Sequence, residues 1–231
     1  MCALVVSQLR ICQPDRYLRR ALIPMHPSLR LAGILPPLDM PHHVRKQDTC
    51  KFREGVTLPS EDQSCQVDIG LDSPLTISTT SLPPPNTRVT IDTEQNKIVP
   101  PSSPLSEGLF WGYTVRLAPS LAAALVPPAP SKAYDLLIGL SERGINIDNL
   151  PTPSAFPKYT KALIVLGGLA GLELTVEKEK DALGLEADQA GDLFDYWVNV
   201  CVDQGSRTIR TEEALGIGLS TLRERLRTTG R

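Results

Sequence analysis

The residues with most chemical promise lie between Phe194 and Ala214, in the run FDYWVNVCVDQGSRTIRTEEA. Asp203-Gln204-Gly205-Ser206 breaks an apolar, β-branched stretch. Arg207 and Arg210 follow, interleaved with Thr208 and Thr211, and Glu212 and Glu213 come next. Acids favour the first turn of a helix, so the run reads as strand, glycine-containing loop, helix. In an open α/β sheet, ligands sit at the carboxyl ends of strands against such loops. An ordinary strand–turn–helix corner has the same pattern, and these residues alone leave the two readings level.

A second candidate is Gly167-Gly168-Leu169-Ala170-Gly171. No Gly-Lys-Ser/Thr follows it and it is not GxGxxG, so it is no phosphate loop of either kind. It does let backbone groups approach a ligand without Cβ interference, which suits an adenosine moiety read by main-chain hydrogen bonds. The three histidines (His26, His42 and His43) all lie before residue 44, and no Ser-His-Asp or Cys-His constellation is visible. A reaction needing little acid–base chemistry, such as methyl transfer, fits these loops better than hydrolysis. His42 and His43, near Asp39 and Cys50, lack the spaced partners of a zinc site and read as a polar loop. No metal site is expected.

Three strand-and-loop units must position these residues. Tyr134–Gly139 precedes Leu140–Gly144, Ala162–Leu166 precedes the glycine loop, and Asp195–Cys201 precedes the opening loop. Their continuous apolar character predicts a parallel sheet buried on both faces. Residues 175–191, rich in Glu, Lys and Asp, predict a solvent-facing connection or short helix. From Thr211 onward, Leu215, Leu219, Leu222 and Leu226 form a helical stripe. Gly216 and Gly218 weaken that helix by about 1 kcal/mol each relative to Ala, and suit close packing against a neighbour. Leu121–Val126 is an alanine-rich turn.

The earlier part of the chain is different. Leu4, Val5, Leu9 and Cys12 predict a helix over 2–12, ended by Pro14. Asp15–Leu22 predicts a short helical turn carrying Arg16, Arg19 and Arg20, and Leu29–Leu35 a short buried strand. Between residues 52 and 118, β-leaning runs recur: Gly55–Leu58, Cys65–Leu71, Leu75–Thr79, Arg88–Asp92, Lys97–Val99 and Leu109–Leu117. Short strands punctuated by proline and glycine predict a small inserted barrel or sandwich. Phe110, Trp111 and Tyr113 suit its core as well as they suit stacking on bases.

The chain has 231 residues, 41% of them hydrophobic, and a formal net charge of −2. A global basic field for nucleic acid is therefore excluded, and any RNA contact must use a local patch. The five cysteines form no CxxC pair, which argues against a disulfide framework and for a reducing compartment. No apolar run reaches membrane-spanning length, and Met1–Val6 is too short for a signal peptide.

YDLLIGLSERG, ALIVLGGLAGLE and VNVCVDQGSRTIRTEEA, in that order, resemble three blocks of a SPOUT-class RNA methyltransferase family that carries an inserted oligonucleotide-binding-like barrel. LAGILPPLDMPHHVR, KFREGV and GLFWGYTVRLA resemble its blocks on either side of the insert. The resemblance runs from about Leu9 to Thr229.

It implies an α/β fold, a SPOUT-type parallel sheet whose C-terminal part is threaded as a trefoil knot. That is an exception to the rule against knotted connections. It further implies an N-terminal SPOUT segment (1–51), an inserted OB-like β domain (52–118) and a knotted cofactor-binding part (119–231). S-adenosyl-L-methionine would lie against three loops. Arg143 and Gly144 belong to the first. Gly167, Gly168 and Gly171 belong to the second, and Asn199, Val200, Gln204, Gly205 and Ile209 to the third. Gly167, Asn199 and Val200 would offer backbone contacts. Arg143 would reach the methionine carboxylate or hold the loops together.

Arg207 and Arg210 would meet RNA phosphate or position the target base, the alternative being ion pairs with Glu212 or Glu213. The sulfonium donor is already activated, so alignment dominates. An acceptor such as uridine N3 must still lose a proton, for which Glu142, Glu173 and Asp203 are candidates. The partners implied are ribosomal or other structured RNA and a second protomer, with Arg207 acting across a homodimer face and no membrane. A nuclear or nucleolar location follows from the same family.

Leu140 and the CVDQG run depart from the family's threonine and CPxQG. Family members also carry an apolar strand and helix, often behind a lysine-rich tail, ahead of the point where Met1 falls. On that expectation a non-catalytic RNA-binding or scaffold protein is the alternative to the enzyme. An enzyme acting on a free nucleotide rests on the glycine loops alone.

Overall fold

The computed structural model describes residues 10, 12, 14–34, 39–59, 64–78, 82–127, 133–151, 156–168 and 170–230. The helix expected over 2–12 lies outside them except for Arg10 and Cys12. The chain divides into two units, Met1–Leu117 and Ala118–Arg231.

In the first unit five short runs pair into an antiparallel sheet. Its strands are β1 (Phe52–Thr57), β2 (Cys65–Asp68), β3 (Leu75–Ile77), β4 (Arg88–Asp92) and β5 (Lys97–Val99), in the order β3-β2-β1-β4-β5. Alternation sends Val67, Ile77, Val89 and Ile91 into one core. Central β1 is buried along its whole length, Arg53 and Glu54 included. Burial of those charges requires partners. Arg53 Nη2 donates to the carbonyls of Arg45 and Asp48, at 2.7 and 2.8 Å, and Glu54 pairs with Arg88.

The turn expected over 15–22 is present, as a 3-10 segment Arg16–Leu18 leading into α1 (Arg19–Leu22). Tyr17 fastens it to the sheet, its hydroxyl donating to the Glu54 carbonyl at 2.6 Å. Burial pushes that phenol well above its ordinary range.

Two expected strands are absent. Over 29–34 the chain makes 3-10 turns, Pro27–Leu29 and Ala32–Ile34, that leave Leu31 and Ile34 exposed and bury Ala32. Leu109–Leu117 forms no strand, and within it Gly112 takes a left-handed φ of +80° that would interrupt a pleat. Its aromatics part company. Trp111 is buried edge-on to Phe52, and its Nε1 donates to Thr90 Oγ1 at 3.1 Å, whereas Phe110 is half exposed. His42 is a buried ring packed near Trp111 and His43, not part of an open polar loop.

The second unit is built on three parallel strands in the order β7-β6-β8: β6 (Leu136–Asn146), β7 (Ala162–Leu166) and β8 (Tyr196–Asn199). Leu136, Ile138 and Leu140 of β6 meet Val198, Ile147 and Leu222 in the core. The outer strand β7 is only half-buried, not covered on both faces as expected.

The loop expected at 140–144 is instead a bulge within β6. Leu140 and Ile145 both oppose Val198, so Ser141–Gly144 are pushed out of the ladder. A glycine is required where the bulge turns back. A Cβ on Gly144 would stand 2.4 Å from the Val198 carbonyl carbon.

Residues 175–191 are helical and contribute to a core. α2 (Leu121–Leu125), α3 (Glu173–Lys178), α4 (Lys180–Leu183) and a 3-10 segment Ala187–Leu193 bury Leu121, Val176 and Ala190 together. The last helix, α5 (Thr211–Thr229), is placed as expected but turned differently. Leu222 is buried while Leu215 and Leu219 are about half exposed. Gly218 packs directly on Leu140, where a Cβ would lie 2.6 Å from Cδ1, and that close approach rotates the two leucines outward.

Among the described residues no helix is long and apolar enough to cross a membrane.

Candidate functional site

A cavity of about 250 Å³ opens beside the carboxyl ends of β7 and β8. Four segments wall it: the β6 bulge, the loop after β7, the segment after β8, and the first turns of α5.

The loop after β7 is shaped by its glycines. Gly171 N–H donates to the Gly168 carbonyl at 2.9 Å, and Gly171 sits at φ +80°, a left-handed position that favours glycine. Gly167 is pressed against Gly171, and Gly168 faces open space with no atom within 4 Å of a Cβ position. The segment after β8 is held by its amides. Asn199 Oδ1 accepts from Cys201 N–H at 3.0 Å, and its Nδ2 donates to the Glu142 carbonyl at 3.1 Å. Gln204 Nε2 donates to Ser206 O at 3.0 Å and to Glu142 Oε2 at 3.3 Å. The bulge and the third loop are thereby tied together.

Charge is arranged in an ordered way. Glu173, at the start of α3, accepts from Ser141 Oγ at 2.9 Å and faces Arg143 Nε at 3.8 Å. Arg143, on the bulge, thus lies within ion-pair distance of the residue that opens α3.

Arg207 lines the cavity and is exposed. Arg210 does not line it. Its backbone N–H donates to Glu213 Oε2 at 3.3 Å and caps α5. Among the described residues neither arginine is ion-paired with Glu212 or Glu213.

Of the residues expected at a ligand, Arg143, Gly167, Gly168, Gly171, Asn199, Val200, Gln204 and Ile209 share this one cavity. Gly144 lies beneath the bulge against Val198, and Gly205 is exposed. Glu142 and Glu173 line the cavity, and Asp203 does not.

Sequence reasoning passed over Ser141, Thr211, Ala214 and Ile217, which also line it. The signal available for Thr211 was its place at a helix start beside two acids. Nothing in the sequence alone marked Ala214 or Ile217, whose exposure to the cavity depends on how α5 is rotated.

Comparison with known sequences matches residues 2–222 to a family described as "Putative RNA methyltransferase". The chain is 38% identical over 243 residues to the 28S rRNA (uridine-N(3))-methyltransferase of Mus musculus, covering 99% of this chain and 61% of that protein. It is 36% identical over 233 residues to the enzyme of the same name from Homo sapiens, covering 96% and 60%. With an uncharacterized protein of Haloarcula marismortui it shares 28% identity over 250 residues, 94% of this chain and 79% of that one. The chain spans about 60% of the length of the two mammalian relatives.

Proposed function

The chain belongs to this RNA methyltransferase family, and from that premise we propose that it transfers a methyl group from S-adenosylmethionine to N3 of a uridine in 28S ribosomal RNA. The observation that carries the reading is the convergence of three glycine- and amide-bearing loops on one cavity. Their residues fit such a donor. The open side of Gly168 leaves main chain accessible to an adenine, and Leu166, Val200, Ile209 and Ile217 give it apolar walls. Arg143, only loosely paired at 3.8 Å, suits an amino-acid carboxylate.

The donor, when bound, supplies an activated methyl group. The protein's own part is to align the acceptor nitrogen and exclude water. Arg207, exposed and without an ion pair among the described residues, suits an RNA phosphate. Arg210, at the same helix entrance, suits the flanking backbone.

The architecture we infer is a SPOUT-type knotted sheet in 119–231, an OB-like insert in 52–118 and a further SPOUT segment in 1–51. The knot reading draws on the contact between the start of α5 and the loop after β7, where Thr211 Oγ donates to the Gly167 carbonyl at 3.1 Å. The insert is supported by the five-stranded antiparallel sheet. A homodimer with Arg207 near its face, and a nuclear or nucleolar location, belong to the same reading.

The test is S-adenosylhomocysteine binding by calorimetry, with Gly168→Trp as a steric control, followed by transfer of labelled methyl into unmethylated 28S rRNA. Binding that is lost in Gly168→Trp, together with labelling at uridine N3, is the expected result. A cooperatively folded chain that binds no S-adenosylhomocysteine overturns the proposal. It leaves a non-catalytic RNA-binding protein.

A further inference from the structure

Methylation of a ring N–H sets a requirement that the methyl donor does not meet, because the proton on N3 has to leave as N3 takes the methyl. Four charged side chains line the cavity: Glu142, Arg143, Glu173 and Arg207. Two of them face each other loosely. Glu173 Oε1 faces Arg143 at 3.8 Å and accepts from Ser141 at 2.9 Å, and its Oε2 folds over Gly171, 2.4 Å from where a Cβ would stand. Glu173 is a clasp between the first two loops.

Asp203 lies off the cavity wall. Glu142 is exposed and makes no ion pair among the described residues. It is nevertheless held. Its carbonyl accepts from Asn199 Nδ2 and its Oε2 from Gln204 Nε2, at 3.1 and 3.3 Å, while no described residue donates to Oε1.

From these contacts we propose that Glu142 is the catalytic proton acceptor, its free carboxylate oxygen taking the N3 proton of the target uridine. This rests on the uridine-N3 reading above. The proton passes to Glu142 as the N3 lone pair forms the new C–N bond. The donor's C–S bond breaks with its electron pair kept on sulfur, and Glu142 then releases the proton to water. Gln204 aims the carboxylate, and Arg207 is left for the RNA backbone.

The test compares the wild-type chain, Glu142→Gln and Asp203→Asn on an unmethylated 28S rRNA transcript between pH 6 and 9. Glu142→Gln is expected to keep its S-adenosylhomocysteine affinity within about twofold by calorimetry. It is expected to lose roughly 10²–10⁴-fold in transfer rate near pH 7. Its rate should then climb about tenfold per pH unit, as N3 ionises in water without an acceptor. Asp203 lies off the cavity wall, and Asp203→Asn should transfer at close to the wild-type rate.

A Glu142→Gln rate close to wild type, or a loss that does not recover with pH, overturns the assignment. So does loss of S-adenosylhomocysteine binding in Glu142→Gln, which would make Glu142 a loop-positioning residue. A wild-type chain that binds S-adenosylhomocysteine but methylates nothing overturns the uridine reading itself, and the base assignment with it.

Discussion

Thr211 Oγ donates a 3.1 Å hydrogen bond to the carbonyl oxygen of Gly167, fastening the first residue of α5 to the first residue of the loop after β7. The two lie 44 positions apart in sequence, and the bond brings opposite walls of the cavity together. Thr211→Val keeps the side-chain shape and removes the donor. The expected cost is about 1 kcal/mol of stability, read by urea unfolding, with weaker S-adenosylhomocysteine binding in calorimetry. An unchanged affinity would mean that the walls hold each other by other contacts.

Gly144 and Gly168 make opposite predictions from the same substitution. A Cβ at Gly144 would stand 2.4–2.6 Å from backbone atoms of Val198, whereas one at Gly168 would meet nothing within 4 Å. Gly144→Ala should therefore destabilise by about 3 kcal/mol, since backbone must move. Gly168→Ala should leave the unfolding midpoint within about 0.5 kcal/mol of wild type. Equal effects on denaturant melts would refute the bulge geometry.

Helix α5 offers a similar contrast. Leu222 is fully buried, and Leu219, one turn earlier, is 49% exposed. Leu222→Ala is expected to cost about 3 kcal/mol through lost burial and the cavity left behind. Leu219→Ala should change stability by about 0.5 kcal/mol or less. Chemical denaturation of both variants checks the rotation of the helix.

In the first unit, Glu54 is 1% exposed and is shared by the Arg88 guanidinium and the Asp15 backbone N–H. Glu54→Ala leaves Arg88 without its partner in a setting where desolvation already lowers its proton affinity. A loss of about 3 kcal/mol is expected. Replacing Glu54 and Arg88 together by apolar residues should recover part of it, which a double-mutant cycle measures.

Asp135 gives a pH dependence. Its carboxylate accepts from the backbone N–H groups of Thr160 and Lys161, at 2.8 and 2.7 Å. These bonds hold its pKa below the ordinary carboxylate value. The folded pKa therefore lies below the unfolded one, about 3.9. The stabilisation is present above that value and is lost as pH falls through the folded pKa. The Tm gap between wild type and Asp135→Asn should be constant from neutral pH to about pH 5 and close below about pH 4. A gap that persists in acid would show that the bonds do not depend on ionisation.

Much of this was legible in the chain. β4, β5 and β7 begin and end where their apolar runs do, because each run is bounded by its own turn residues. The glycine-bearing loops after β7 and β8 could be placed at strand ends for the same reason, whereas the first, at 140–144, became a bulge inside β6. Leu109–Leu117 misled because composition reports a preference for extended backbone and not a pairing partner. Trp111 found its partner in Thr90, 21 residues away. The stripe on α5 misled because amphipathic spacing identifies a face without saying what packs on it, and Gly218 against Leu140 decided that.

The sequence by itself determined the alternation of strands and glycine loops, the acidic start of α5, the antiparallel β character of the early part and the family. Those depend on contacts within a few residues or on the order of short runs. The tertiary structure alone decided that Leu140 and Ile145 share Val198 across the sheet, which pushes Glu142 and Arg143 out to the cavity. It alone paired Arg143 with Glu173 and left Glu142 with a free oxygen. The difference is physical. A side chain's chemistry is written in its type, but whether its charge is neutralised or available depends on neighbours that only the folded chain brings within a few ångströms.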